Sequence, residues 1–202
     1  MPCAKDKTKE KNMYVRVLLV LSFALILGGC AMGQKTNYSE GHIAFNSFNF
    51  NSDGGCKITV VDNRPYVLSG KKSPTFTGIL RGGYGNPFDM NTESGKPLAD
   101  DLTLLFARSY QEVMGVNCVT GEEMETRKTV VYTLNEWKTD IMRRGRFIYD
   151  VDTSVSVSGD VISNEKTTGT IVIDKNFPLP NAITQATNQI HSNARTAEAL
   201  GK

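Results

Sequence analysis

The clearest pattern in the chain is a strict alternation over residues 147–157. Phe147, Tyr149, Val151, Val155 and Val157 fall on one side, and Asp150, Asp152, Ser154 and Ser156 on the other. A period of two with one apolar side is the mark of a strand with one buried face, as in an antiparallel sheet. Residues 129–141 alternate through Val130, Tyr132 and Leu134, and the phase slips before Trp137, which predicts a bulge or a change of face. The segment MRRGR at 142–146 is the turn between these two strands. A second turn is expected at 158–160. Val161–Ile162 and Thr170–Ile173 then read as a further strand pair around the polar segment SNEKTTG.

Upstream, residues 57–62 (KITVVD) are compact and β-branched, which predicts a buried strand ended by Arg64-Pro65. Residues 63–96 carry six glycines and read as one long loop, with a short strand around Phe76–Leu80. Residues 43–50 suggest an edge strand. Leu98, Leu102, Leu105, Phe106 and Val113 follow helical spacing after Pro97, with Asp100 and Asp101 near the positive end of the helix dipole and Gly115 as the stop. Residues 116–119 are another short strand. Ile183, Ala186, Ile190, Ala194 and Ala197 make a terminal helical stripe, with Asn181 as its N-cap. The order predicts an α+β domain: a mostly antiparallel sheet, one helix after the first strand, and a C-terminal helix packed on it.

The first thirty residues follow other rules. Lys5, Lys7, Lys9, Lys11 and Arg16 precede the apolar run Val17–Leu27, which is shorter than the roughly 20 residues a bilayer span needs. This is the layout of an export signal. Its ending, Leu27-Gly28-Gly29-Cys30, resembles a bacterial lipobox. That resemblance implies diacylglyceryl transfer to the Cys30 thiol, cleavage before Cys30 and acylation of the new terminus. Ala31, rather than Asp, follows the cysteine; by the same resemblance this implies the outer membrane. The expected organisation is a signal peptide over 1–29, a lipidated tether over 30–42 and one periplasmic domain over 43–202.

Removing the signal changes the charge. The whole chain of 202 residues has a net charge of +2, but residues 30–202 hold 18 basic and 19 acidic side chains. No basic excess supports nucleic-acid binding. Cys56 and Cys118 remain for the oxidising compartment. If the strands at 57–62 and 116–119 flank a helix, they run parallel with both cysteines at one end, and a disulfide is within reach. The alternative is two separate buried thiols.

Candidate chemistry is sparse. The stretch LRGGYGNPFDMNTESGKPL (80–98) suggests a phosphate loop, but Met90 stands where the first glycine should be and Pro97 where the Ser/Thr should be. A dinucleotide fingerprint from Gly83 and Gly85 ends on Phe88 instead of glycine. His42 sits in the tether and His191 beside a helical stripe, so neither is placed as a catalytic base. Asp62, Asp89, Asp100 and Asp101 are the carboxylates available for paired acid–base work. Asp140 reads as a turn ion pair with Arg143 or Arg144. No metal set, cofactor or catalytic residue is expected. Tyr84, Phe88 and Trp137 are the candidate partner-binding residues, with core packing as the alternative for Trp137.

VVDNRP (60–65), GGYGNPFD (82–89), SGKPLADDL (94–102) and YTLNEWKTD…FIYDVD (132–152) together resemble uncharacterised bacterial lipoproteins of the YajG-like type. The resemblance implies an outer-membrane address and brings no catalytic residue. The expectation is a non-enzymatic, lipid-anchored envelope protein with a protein partner. The competing expectation is a small-ligand or glycan-binding module using the glycine-rich 70–96 loop.

Overall fold

The computed structural model describes residues 34–38, 55–83, 85–114, 118–120, 128–142 and 144–200. All lie in the compact unit Gly33–Lys202. The elements run β1 (Lys35–Thr36), β2 (Cys56–Asp62), α1 (Pro65–Leu68), β3 (Phe76–Arg81), β4 (Pro87–Thr92), α2 (Leu98–Met114), β5 (Cys118–Thr120), β6 (Lys128–Ile141), β7 (Gly145–Val157), β8 (Asp160–Ile173) and α3 (Leu179–Leu200).

The strands form one 8-stranded mixed sheet built around β6. One edge of β6 is paired along its length with β7, which in turn pairs β8, both antiparallel. The other edge is shared. Lys128–Leu134 pairs parallel with β2, and Thr139–Ile141 pairs parallel with β3. The sheet therefore forks at the middle of β6. One branch continues from β2 to β5 in parallel. The other continues from β3 to β4 antiparallel and from β4 to β1 parallel. The register of β6 against β7 shifts between Leu134 and Glu136, a bulge at Asn135. This is the phase slip seen in the sequence. It keeps Leu134 and Trp137 on the same buried face although they are three positions apart.

The helices α2 and α3 pack on that face. Leu98, Leu102, Leu105 and Phe106 of α2 and Ala182, Ile183, Ala186 and Ile190 of α3 join Ile58, Tyr132, Leu134, Trp137, Phe147 and Val151 in one core. Ring contacts run through its centre: Phe106 meets Tyr132 at 4.7 Å and Trp137 at 6.3 Å, and Trp137 meets Phe147 at 4.9 Å, all edge to face.

The structure departs from the sequence reading at several points. The long loop over 63–96 holds α1 and the β3–β4 hairpin, so α2 does not follow the first strand directly. Four ladders are parallel, so the sheet is mixed, although the two longest ladders are antiparallel. Residues 160–173 form one strand with no turn at SNEKTTG. The 13-residue β7 needs a partner along its whole length, and Gly169 leaves room for the Tyr149 ring, which a Cβ there would overlap. The turn into β8 is tight, with Ser158 at φ 53° and Gly159 at φ 93°, the left-handed pair that suits a two-residue hairpin. Asn181 is inside α3, its amide already donating to Pro178 O at 3.0 Å, so it is not the N-cap. Part of the expected tether belongs to the sheet: Lys35–Thr36 is β1, and Tyr38 is 2% exposed. The edge strand expected at 43–50 and the helix stop at Gly115 lie outside the described residues.

Candidate functional site

Two places gather polar chemistry. The first is the fork. Beyond Asp62, β2 can no longer pair with β6, and Asn63 N makes a last bond to Leu134 O at 2.9 Å. Arg64 then turns into the gap between the branches and is 0% exposed. Its Nε and one terminal nitrogen donate to the two Asp62 carboxylate oxygens at 2.8 and 2.7 Å. The other terminal nitrogen donates to Phe76 O at 2.6 Å and Trp137 O at 3.3 Å, and the first reaches Pro74 O at 3.3 Å. A planar guanidinium suits this task, because its fork of donors reaches a carboxylate and several carbonyls at once. The hydrogen bonds to Asp62 offset the burial cost and hold the Arg64 charge firmly. Beside it, Tyr66 donates to Glu136 Oε1 at 2.5 Å, and burial first, then this bond, pushes the phenol well above its usual range.

The fork is therefore a structural clamp: its acid and base are occupied by each other and by backbone carbonyls. Trp137 belongs to the same knot. Its indole is 0% exposed and donates to the buried Tyr38 hydroxyl at 3.2 Å. This corrects the expectation of Trp137 as a partner-binding residue. The ring was drawn inward because the Asn135 bulge restores the buried phase.

The second place is a cleft of about 600 Å³ at the opposite end of β3, where the β3–β4 and β6–β7 turns lie side by side. Arg81, Gly85, Asp140, Met142, Arg144, Gly145, Arg146 and Val172 line it. Arg81 and Asp140 form a two-pronged pair across the β3–β6 ladder, Nε to Oδ1 at 2.8 Å and the terminal nitrogen to Oδ2 at 3.0 Å. This pair, led by the Arg81 hydrogen bond, holds the Asp140 carboxyl below the usual carboxylate range. Parallel pairing of β3 with β6 brings Arg81 to Asp140; of the partners expected from the sequence, Arg143 lies outside the described residues. Arg144 and Arg146 are exposed on the rim, as are Met142 at 57% and Val172 at 55%. The lining set thus holds three arginines against one aspartate. Arg144 and Arg146 belong to MRRGR, expected as a turn, whose three arginines in five residues are the local signal of this site.

The remaining sequence candidates scatter. Phe88 pairs with Leu80 beside the cleft and is 37% exposed; Tyr84 lies outside the described residues. Asp89 is tied to Lys72 at 2.5 Å, and Asp101 accepts from Ser94 Oγ at 2.7 Å, so with Asp62 at Arg64 the carboxylates do not converge. The turn before α2 does not cradle an anion: Gly95 N donates to Thr92 O and Lys96 N to Ser94 Oγ. His191 is buried against Phe106, Tyr110 and Tyr132, with Ser109 Oγ 3.3 Å from its Nδ1. Cys56 and Cys118 lie opposite each other in the β2–β5 ladder, Cα atoms 4.4 Å apart, and are joined by a disulfide. His42 and Cys30 lie outside the described residues. Among the described residues no His/Cys/Asp/Glu group could hold a metal ion, and no helix is long and apolar enough to cross a membrane.

No family model and no curated protein sequence matches the chain. Solved structures do resemble it. A DUF330 protein of Xanthomonas campestris is 12% identical with a TM-score of 0.48, over 82% of this chain and 93% of that one. An uncharacterised protein is 9% identical with a TM-score of 0.49, over 83% and 99%. Lipoprotein GNA1162 of Neisseria meningitidis is 10% identical with a TM-score of 0.28, over 69% and 99%. No residue role passes to this chain from likenesses at this level.

Proposed function

We propose that the chain is a lipid-anchored, non-enzymatic envelope protein that faces the periplasm from the outer membrane and works by binding a partner there. The observation that carries this reading is the seating of β1. Lys35 follows Cys30 by only five residues. The chain from Gln34 to Tyr38 is already part of the domain: Gln34 O and Thr36 O accept from Asn91 N and Glu93 N, and Tyr38 is buried under Trp137. A chain built this way holds its domain on a leash of a few residues at whatever Cys30 is attached to. The occupied acids and bases of the fork, and the scattered carboxylates elsewhere, support a binding role over catalysis. Wild-type protein should incorporate palmitate, and Cys30→Ser should give an unlabelled, uncleaved precursor. Equal labelling of both overturns the anchor.

A second reading, binding of a small ligand, is favoured by the arginine cleft. It draws Arg81 and Gly85 from the 70–96 span and the rest from the β6–β7 hairpin and β8. A photocrosslinker at Phe88 separates the two: covalent attachment to an envelope protein in intact cells supports the partner, and its absence together with a ligand-induced thermal shift supports the cleft.

A further inference from the structure

We propose that the arginine cleft is a bilayer-docking surface, in which Arg144 and Arg146, flanked by the Arg81–Asp140 pair, receive the phosphate groups of anionic phospholipids while Met142 enters the headgroup boundary. It rests on the lipid-anchored reading above and adds which surface meets the bilayer and what that surface recognises.

Chain direction is the first ground. β1 runs parallel to β4, with Lys35 opposite Asn91 and Thr36 opposite Thr92. β4 starts at Pro87, opposite Arg81 at the cleft end. The chain therefore enters β1 from the cleft end of the sheet. From Asn91 back to Pro87 is about 13 Å of strand. From Lys35 back to Cys30 is at most about 17 Å of extended chain. An acyl group on Cys30 can just clear the cleft end and can go little further. The other end of the sheet, at the Ser158–Gly159 turn, is separated from Gly145 by the 13 residues of β7, about 43 Å. That end cannot be brought to a bilayer on this leash; the cleft end can.

Chemistry is the second ground. The lining carries a net excess of two positive charges within one cleft. Guanidinium groups bind phosphate through paired hydrogen bonds, which ammonium groups do not. Asp174, near the same end, is turned into its own loop and accepts from the amides of Asn176 and Phe177 at 2.8 and 2.9 Å. Met142, Val172 and Phe88 supply exposed apolar surface next to the arginines. Basic groups with an adjoining apolar wedge suit the boundary between headgroups and acyl chains. A wholly aqueous anion would leave that apolar rim in water.

The test uses mature full-length protein carrying Met142→Cys. With Cys30 acylated and Cys56 bridged to Cys118, residue 142 presents the reactive thiol for an environment-sensitive fluorophore. The protein is mixed with phosphatidylcholine vesicles, or with vesicles also containing phosphatidylglycerol, and floated. Flotation with both confirms the anchor, and the probe then decides the docking. The expected result is protection from acrylamide quenching on phosphatidylglycerol vesicles, reversed by high salt and lost in Arg144→Glu/Arg146→Glu. Near an anionic surface each arginine strengthens attachment about fivefold, so loss of the pair weakens docking by roughly thirtyfold or more. A probe equally quenched on both vesicles overturns the proposal. If the chain floats only with phosphatidylglycerol vesicles and the double variant floats with neither, docking stands without the anchor. If the parent floats with neither, both fail.

Discussion

The two branches that leave β6 are held by opposite means. The β2–β5 branch is paired along seven residues of β6 and closed by a covalent bond between Cys56 and Cys118. The backbone ladder of the β3–β4–β1 branch on β6 takes in Gly78, Ile79 and Leu80, with the Arg81–Asp140 pair at its outer end, and its inner end is fastened by one guanidinium and one indole–phenol hydrogen bond. A disulfide acts mainly by restricting the unfolded chain, whereas a buried ion acts only while its partners are in place. One branch should therefore resist local opening and yield to reductant; the other should ignore reductant and fail with a single side chain.

Breaking the clamp should have the largest effect. Arg64→Ala leaves the carbonyls of Phe76 and Trp137 without this buried donor and Asp62 without its counter-ion, at a cost of about 4–5 kcal/mol. Denaturant titration gives the total, and hydrogen exchange should show β3 and β4 amides losing protection before those of β2. Equal loss in both branches would show that they are one unit. Next is the bridge. With a sequence separation of 62, its removal in Cys56→Ala/Cys118→Ala should cost about 4 kcal/mol by chain entropy. Thiol counting on denatured, unreduced protein checks it independently: two reactive thiols from Cys56 and Cys118 would mean that no bridge exists. Here β5 should lose protection and β3 keep it.

A smaller effect is expected from Tyr38→Phe, which removes the acceptor of the Trp137 indole in a dry setting, about 1–2 kcal/mol. It should selectively loosen β1, read as faster exchange of the Asn91 and Glu93 amides. The smallest effects come from pH and have opposite signs. Asp140 has a depressed folded-state pKa, so its contribution is present at neutral pH and is lost as pH falls through that value. Asp101 is raised, first by burial, so its ionised form opposes folding at neutral pH and the penalty is relieved on acidification. Thermal melts between neutral pH and about pH 3 should show a reduced acid loss in Asp140→Asn. Asp101→Asn should gain slightly at neutral pH and lose the relief.

The branches also differ in how far the sequence disclosed them. The meander β6–β7–β8 showed itself where one face is buried and the other wet; even the bulge at Asn135 was visible as a broken alternation. It failed at Ser163–Gly169 of β8, because an edge strand with polar residues on both faces carries no period. The fork was nearly silent. Arg64 read as the end of a strand, and nothing local distinguishes a surface arginine from one whose acceptors lie 12 and 73 positions away. Tyr38 sat among polar residues and looked like tether, since one aromatic ring has no periodicity. The cleft was legible in part: the arginines of MRRGR were countable, but Arg81 joins them only through the parallel pairing of β3 with β6.

The parallel pairing of β2 with β6 imposes an order in time. The register of β2 ends with Asp62 against Leu134. Whether the chain emerges from a ribosome or from a translocation pore, it does so from its N-terminus. The β2 strand, with Ile58 and Val60, must wait for about 72 further residues, roughly 4–14 s at ordinary rates of synthesis. During that interval its backbone lacks its native β6 partner, and the Cys56 thiol stays available until Cys118 has arrived. The β3–β4 hairpin can close early on its own, but Arg64 cannot donate to Trp137 O before residue 137 exists. Native assembly of the fork is thus gated by the arrival of β6, and the period of greatest exposure to aggregation or mispaired oxidation falls between the appearance of β2 and that of β6.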